Sequence, residues 1–206
     1  MIVGITGLIG SGKDTVADYL IRFHGFKKLS YATPLKDAVA AIFGWDRELL
    51  EGTTLSSRQW REEVDEWWAK RLNVPHLTPR WVLQHWGTEV CRRNFHNDIW
   101  VASIENTLRK IKDNVVITDC RFPNEVDAIK NSGGTVIRVV RGENPDWFGY
   151  AEEYTLTQNP QALAKLMDYN VHASEYSSVG LKYDYVIDNN GSIDDLHYLV
   201  ESIIDL

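Results

Sequence analysis

At 206 residues, with a 44% hydrophobic share and 25% charged residues, the chain has the composition of one well-buried domain with insertions. Its net charge of -7, from 22 basic against 29 acidic residues, argues against a nucleic acid polymer held on a broad basic surface, while a small phosphorylated ligand, needing only a few local cations, stays allowed. Two cysteines outside any C-x-x-C pattern and six scattered histidines suggest neither a disulfide framework nor structural zinc, and no leader pattern or bilayer-spanning apolar run is present, so a cytoplasmic protein without membrane contact is expected.

The first element is the β-branched run Ile2 to Thr6, followed by glycines and then by Val16, Ala17, Leu20 and Ile21 at helical spacing. This reads as strand, glycine loop, helix. A second strand is expected over 26–31, and Pro34 with Lys36 to Phe43 opens a helix stopping near Gly44. From there to about Lys112 only helices are expected, over 56–72, 79–93 and 98–112, the second started by Thr78 as a cap and Pro79 at the first helical position. NVVIT (114–118) is a continuous apolar strand, 123–131 a helix closed by Ser132-Gly133-Gly134, and TVIRVV (135–140) another strand. The stretch 141–182 is polar and weakly patterned, holding at most a short helix near 161–167, which fits a mobile lid or binding segment. A last strand over 183–187 and an amphipathic helix begun by Ser192 and Asp195 complete the chain. The fold class is α/β, a mostly parallel sheet of about five strands flanked by helices, with ligands at the carboxyl ends of the strands.

The loop Gly7-Leu8-Ile9-Gly10-Ser11-Gly12-Lys13 suits a nucleotide's phosphates, because glycines let successive amides curl inward at a helix N-terminus and Lys13 supplies a mobile cation. A dinucleotide fingerprint fits less well, since the order is G-x-x-G-x-G and the second strand ends in Ser30-Tyr31 without the acid that would hold a ribose. The residue after the lysine is Asp14, where the common motif has a hydroxyl, and Thr15 comes one place late. Either could meet a magnesium ion, directly or through water, or Asp14 could simply favour the helix dipole.

Asp119 ends the buried run NVVIT, a position from which an acid can face magnesium or nucleotide, and Arg121 follows two residues on. Phosphoryl transfer needs positioning and charge neutralisation, so Arg80, Arg121, Arg138 and Arg141 are the candidate cations, Arg138 being mid-strand and open to a structural role. In the helix from Pro79, Val82, Leu83, Trp86 and Val90 fall on one face and Arg80, Gln84, Gly87, Thr88 and Cys91 on another. A helix-interior glycine costs about 1 kcal/mol relative to alanine, so Gly87 implies a close approach, by a ligand or by another helix. Trp45, Trp60, Trp67, Trp68, Trp81 and Trp86 are expected in packing.

Taken in order, GLIGSGKDTVADYL, ATPLKDAVA, RWVLQHWGTEVCRRNFHNDIWV and VVITDCRFPNEVDAIKNSGGTVIRVVR resemble the deoxynucleoside monophosphate kinases of tailed bacteriophages, and NVHASEYS resembles their lid. The resemblance implies a P-loop kinase fold in one domain, with a core of 1–32, 113–141 and 182–206, a helical acceptor-binding insert of 33–112 and a lid of 142–181. It also implies transfer of the γ-phosphoryl group of ATP, with magnesium, to a deoxynucleoside 5′-monophosphate. Residues Gly7, Gly10, Ser11, Gly12, Lys13, Asp14 and Thr15 would hold the ATP phosphates and metal. Arg80, Gly87, Thr88, Trp100, Asp119 and Arg121 would surround the acceptor, with Lys13, Arg80, Asp119 and Arg121 catalytic and Arg141 a lid candidate. The expected partners are ATP and the monophosphate, in the host cytoplasm if phage-encoded, with a homodimer allowed and neither nucleic acid polymer nor membrane. A dephospho-coenzyme A kinase-like enzyme and a P-loop ATPase or nucleotide switch are the alternatives.

Overall fold

The computed structural model describes residues 1–204. It divides into two compact units, one of residues 1–30 with 110 onward and the other of residues 31–109. The first contains the sheet: β1 (Ile2–Thr6), β2 (Lys27–Leu29), β3 (Val115–Ile117), β4 (Thr135–Val140) and β5 (Tyr185–Asp188), paired in parallel in the order β2-β3-β1-β4-β5. A parallel strand covered on both faces must be apolar throughout, and β3 is buried at every residue. Gly4 of β1 aligns with Ile117 on one side and Val136 on the other.

Along β1, Val3 and Ile5 face a cluster with Val16, Ala17 and Leu20 of α1 (Lys13–His24) and Leu196 and Val200 of α12 (Ile193–Ile204). Gly4 points the other way, where an added Cβ would lie 2.5 Å from Ile129 of α8 (Pro123–Asn131). The sheet is therefore sandwiched by helices. Helix α12 starts at the expected cap, with Ser192 N–H donating to Asp195 Oδ2 at 2.8 Å and Asp195 N–H to Ser192 Oγ at 3.2 Å.

Three strands are displaced or shorter than expected: 26–31 narrows to β2, 114–118 to β3, and 183–187 becomes β5 over 185–188. The larger difference is 141–182. It holds three helices, α9 (Phe148–Thr157), α10 (Pro160–Asp168) and α11 (Ala173–Tyr176), instead of one short one. Their buried residues are few, Ala151 in α9 and Ala162 and Leu166 in α10, and the partly buried residues around Ala151, Leu166 and Val179 are the aromatics Trp147, Phe148, Tyr150, Tyr154 and Tyr176, so α9 and α11 carry little aliphatic patterning. The boundary between α9 and α10 is set by Gln158, left-handed at φ 57°, and by Asn159, whose side chain caps Gln161 N–H. Arg138 is only 9% exposed and ties this segment to the sheet. Its guanidinium lies 4.8 Å from the Phe148 ring centre and 5.3 Å from that of Tyr183, and it donates to Tyr183 Oη at 3.3 Å.

The second unit is helical: α2 (Thr33–Phe43), α3 (Arg47–Glu51), α4 (Leu55–Trp60), α5 (Glu66–Leu72), α6 (Pro79–Gln84), a π-helix (His85–Arg93) and α7 (Ile99–Leu108). Helix α3 was not expected; Asp46 starts it by accepting from Glu48 N–H at 2.7 Å. The expected helix 56–72 is broken because Thr54 caps α4 and Asp65 starts α5 afresh, accepting from Trp68 N–H at 3.0 Å. Helix 98–112 shortens to α7. Val39, Phe43, Leu50, Leu77 and Val82 form the core, with Trp45, Trp60, Trp68, Trp81 and Trp86 packed around it, whereas Trp67 is 63% exposed. The expected helix 79–93 changes winding at His85. More residues per turn rotate its faces out of α register, which is why Val90, expected in the core, is exposed while Gly87 is buried.

Glu51 is the electrostatic centre of this unit. Burial alone would raise its carboxyl, but hydrogen bonds from Lys36 at 2.6 Å and Arg47 at 2.6 Å hold it below its ordinary range. A depressed carboxylate contributes stability that is present above the unfolded value of 4.5 and is lost as pH falls through the lower folded value. Acid melts of wild type should therefore weaken from about pH 4.5 downward more steeply than those of Glu51→Gln. Parallel curves for the two proteins would show that the pair contributes nothing.

Candidate functional site

The site in the first unit begins where β1 ends. Gly7 cannot carry a side chain, because an added Cβ would sit 2.5 Å from both Ser11 Oγ and Val139 O. Gly12 is the cap of α1 at φ 93°, a left-handed conformation, and its Cβ would collide with the Asn189 amide. Ser11 N–H closes the loop on Leu8 O at 3.1 Å. Lys13 then opens the helix, its side chain 19% exposed with Nζ 3.9 Å from Asp14 Oδ2. Asp14 is open to solvent, with Lys28 of β2 on its other side at 4.0 Å, and Thr15 is half-buried.

From β3 the chain passes through Thr118, Asp119, Cys120 and Arg121 before α8 begins. Asp119 Oδ2 accepts from the Ser30 hydroxyl at 2.7 Å, so the end of β2 orients the acid. The turn is fixed from below by Glu125, 2% exposed, whose Oε2 accepts from Arg121 N–H at 2.8 Å and Phe122 N–H at 3.1 Å. A buried carboxylate is well placed only when such donors surround it. Burial pushes the Cys120 thiol well above its ordinary range, and the charges of Asp119 and Glu125 add to the shift. Arg121 reaches Glu175 at 3.3 Å and Ser174 at 3.4 Å in α11.

These pieces line one cleft. Thr6, Gly7, Ile9 and Lys13 form one wall, Thr118, Asp119, Cys120 and Arg121 a second, and Ser174, Glu175 and Ser178 a third. Gly10 and Arg141 are exposed and lie outside that lining. Lys13 and Arg121 in one cleft beside a helix N-terminus can hold a polyanion. A further observation fits: Ser11 Oγ is buried and has no partner among the described residues, a donor that a phosphate oxygen would satisfy. An orphaned buried hydroxyl costs about 1–3 kcal/mol, so Ser11→Ala should melt no lower than wild type without ligand yet gain less from added ADP. Thermal melts with and without ADP decide this, and an undiminished ADP shift would remove Ser11 from the site. For a divalent cation, Asp14 and Thr15 offer the hard oxygen donors magnesium takes alongside phosphates. Among the described residues no three His, Cys, Asp or Glu converge as a protein-only cage.

The other sequence candidates belong to the second unit. Gly87 is buried; its added Cβ would be 3.0 Å from Leu35, and its carbonyl accepts from the Trp100 indole N–H at 3.0 Å. Packing thus accounts for the close approach that glycine permits. Thr88 is half-buried beside it, and Arg80, in the first turn of α6, pairs with Glu62 at 2.9 Å. Lys28, Ser30, Glu125, Glu175 and Asn189 were not anticipated. Glu125 had a readable signal, standing three residues after Phe122 as an acid in a first helical turn, while Ser30 and Asn189 are marked only by their place at strand ends.

The parallel order β2-β3-β1-β4-β5, with a glycine loop leading from the central strand into a helix, is that of a P-loop kinase fold. The chain belongs to the deoxynucleotide monophosphate kinase family, whose model matches residues 51–159. A protein of Acanthamoeba polyphaga mimivirus, provisionally named a deoxynucleotide monophosphate kinase, is 31% identical over all of this chain and 96% of its own length. The deoxynucleoside-5'-monophosphate kinase of Escherichia phage T5 is 28% identical over 64% of this chain and 72% of its own. Among solved structures, dephospho-CoA kinase from Campylobacter jejuni aligns over 99% of this chain and 95% of its own at 16% identity and a TM-score of 0.45. No helix among the described residues is long and apolar enough to cross a membrane.

Proposed function

We propose that the protein transfers the γ-phosphoryl group of ATP to a deoxynucleoside 5′-monophosphate, giving ADP and the diphosphate. The observation that carries this reading is the single cleft in which the glycine loop and Lys13 meet Asp119 and Arg121. A phosphate oxygen of the acceptor attacks Pγ while the bond from Pγ to the β-bridging oxygen breaks. The acceptor phosphate, with a second pKa near 6, is already mostly a dianion at neutral pH, so no side chain has to remove a proton. The protein's part is then positioning and neutralisation. Gly7, Gly10, Ser11, Gly12 and Lys13 hold the donor phosphates, and Arg121 balances charge on the moving group. Asp119, held by Ser30, keeps its carboxylate fixed beside that arginine. Asp14 and Thr15 hold magnesium directly or through water, and magnesium supplies further charge neutralisation on the phosphates.

Arg80, Gly87, Thr88 and Trp100 are assigned with Asp119 and Arg121 to the acceptor, and Arg141 to the lid. The assignment by segment is a core of 1–32, 113–141 and 182–206, an acceptor-binding insert of 33–112 and a lid of 142–181. ATP and the monophosphate are the partners, in a cytoplasm, with a homodimer allowed and no role for nucleic acid polymer or membrane. The test is to incubate the protein with ATP, magnesium and each of the four deoxynucleotides in turn, with dephospho-coenzyme A as a further acceptor. Diphosphate from at least one deoxynucleotide is expected. Hydrolysis of ATP with no acceptor phosphorylated would point to an ATPase or switch, and phosphorylation of dephospho-coenzyme A alone would point to that other kinase.

A further inference from the structure

The last strand ends in a residue that no motif singled out. Asn189 follows β5 directly, is 8% exposed, and continues the ladder through its N–H to Val140 O at 2.8 Å. Its side-chain Nδ2 donates to Ser11 O at 2.8 Å, a buried contact spanning 178 positions of sequence. The carbonyl it holds belongs to the peptide that joins Ser11 to Gly12. In a trans peptide the C=O and the following N–H point in opposite directions, so fixing Ser11 O toward β5 fixes Gly12 N–H away from it. Gly12 closes the arrangement: its left-handed φ of 93° turns the chain into α1, and the absence of a Cβ leaves room for the Asn189 amide.

We propose that Asn189 is a positioning residue for phosphoryl transfer, aiming the Gly12 N–H at a bound phosphate by holding the Ser11 carbonyl from the end of β5. It touches no substrate itself. The inference rests on the reading of the glycine loop as a phosphate-binding loop. A peptide free to rotate would have to be ordered by each incoming nucleotide, whereas a held one meets the phosphate already oriented. The clamp therefore acts on phosphate affinity and on turnover, and leaves the fold of the sheet to its apolar core.

Inorganic tripolyphosphate is the probe, because it reports the loop without the base or sugar, and the Gly12 amide resonance is the readout. In wild type, tripolyphosphate should bind and move that amide proton downfield. In Asn189→Ala, affinity for tripolyphosphate and for ATP should fall by about tenfold and the Gly12 shift should shrink, while KM for the deoxynucleotide stays within about twofold. Asn189→Asp keeps the shape and makes the donor depend on pH. Its carboxyl can donate to Ser11 O only when protonated, so affinity should approach wild type at low pH and fall as pH rises, a slope absent from Asn189→Ala. Wild-type affinity and an unchanged Gly12 shift in Asn189→Ala would overturn the clamp. Parallel losses for ATP and deoxynucleotide, with no pH slope in Asn189→Asp, would also overturn it by showing general damage. Wild type that binds no tripolyphosphate would instead sink the phosphate-loop reading and this inference with it.

Discussion

Lys13→Ala should lower kcat by about two to three orders of magnitude, the scale of losing one preorganised partner to transition-state charge, or roughly 3–4 kcal/mol. The lysine opens α1 inside the cleft with its side chain 19% exposed, so its charge is only partly screened by water. Its ion pair with Asp14, at 3.9 Å and with Asp14 open to solvent, is weak. The melting temperature without ligand should consequently change little. Steady-state kinetics beside a thermal melt check both halves, and wild-type turnover in the mutant would mean that another cation serves the phosphates.

Asp119→Asn removes a charge while keeping an oxygen for the Ser30 hydroxyl that now meets Asp119 at 2.7 Å. Turnover should drop by about a hundredfold, with the rate still falling below about pH 6 as the acceptor phosphate takes up a proton. The unchanged acid limb is the informative part. If Asp119 acted as a general base, its replacement would alter the pH profile, whereas a positioning acid alters only the height. A loss smaller than about threefold would show that the acid faces neither metal nor nucleotide.

The sheet and the glycine loop were legible because each rests on local chemistry. A β-branched run before Gly7 and a helical apolar stripe after it admit little else, and Asp119 and Arg121 are marked by the apolar run that ends beside them. Of the helices of 141–182, α10 was legible as the short helix expected near 161–167, whereas α9 and α11 were not. The packing around α9 and α11 is largely by partly buried aromatic rings, one of them met by Arg138, a residue whose mid-strand position gives no hint of the rings that will meet it. The π-helix was missed for a related reason: face assignment presumes α winding, and the register slips once the winding changes. Residues that act through contacts far along the chain, Ser30 on Asp119 and Asn189 on Ser11, leave no periodic trace at all.

Cys120 adds an internal clock to this arrangement. Cys120 borders the cleft between Asp119 and Arg121 yet is only 2% exposed, so a thiol reagent gains access chiefly when the turn after β3 opens. Its labelling rate under native conditions therefore measures how often this turn comes apart. A ligand that bridges the glycine loop and Arg121 would slow that rate in proportion to its binding, turning one buried sulfur into a gauge of occupancy that needs no turnover.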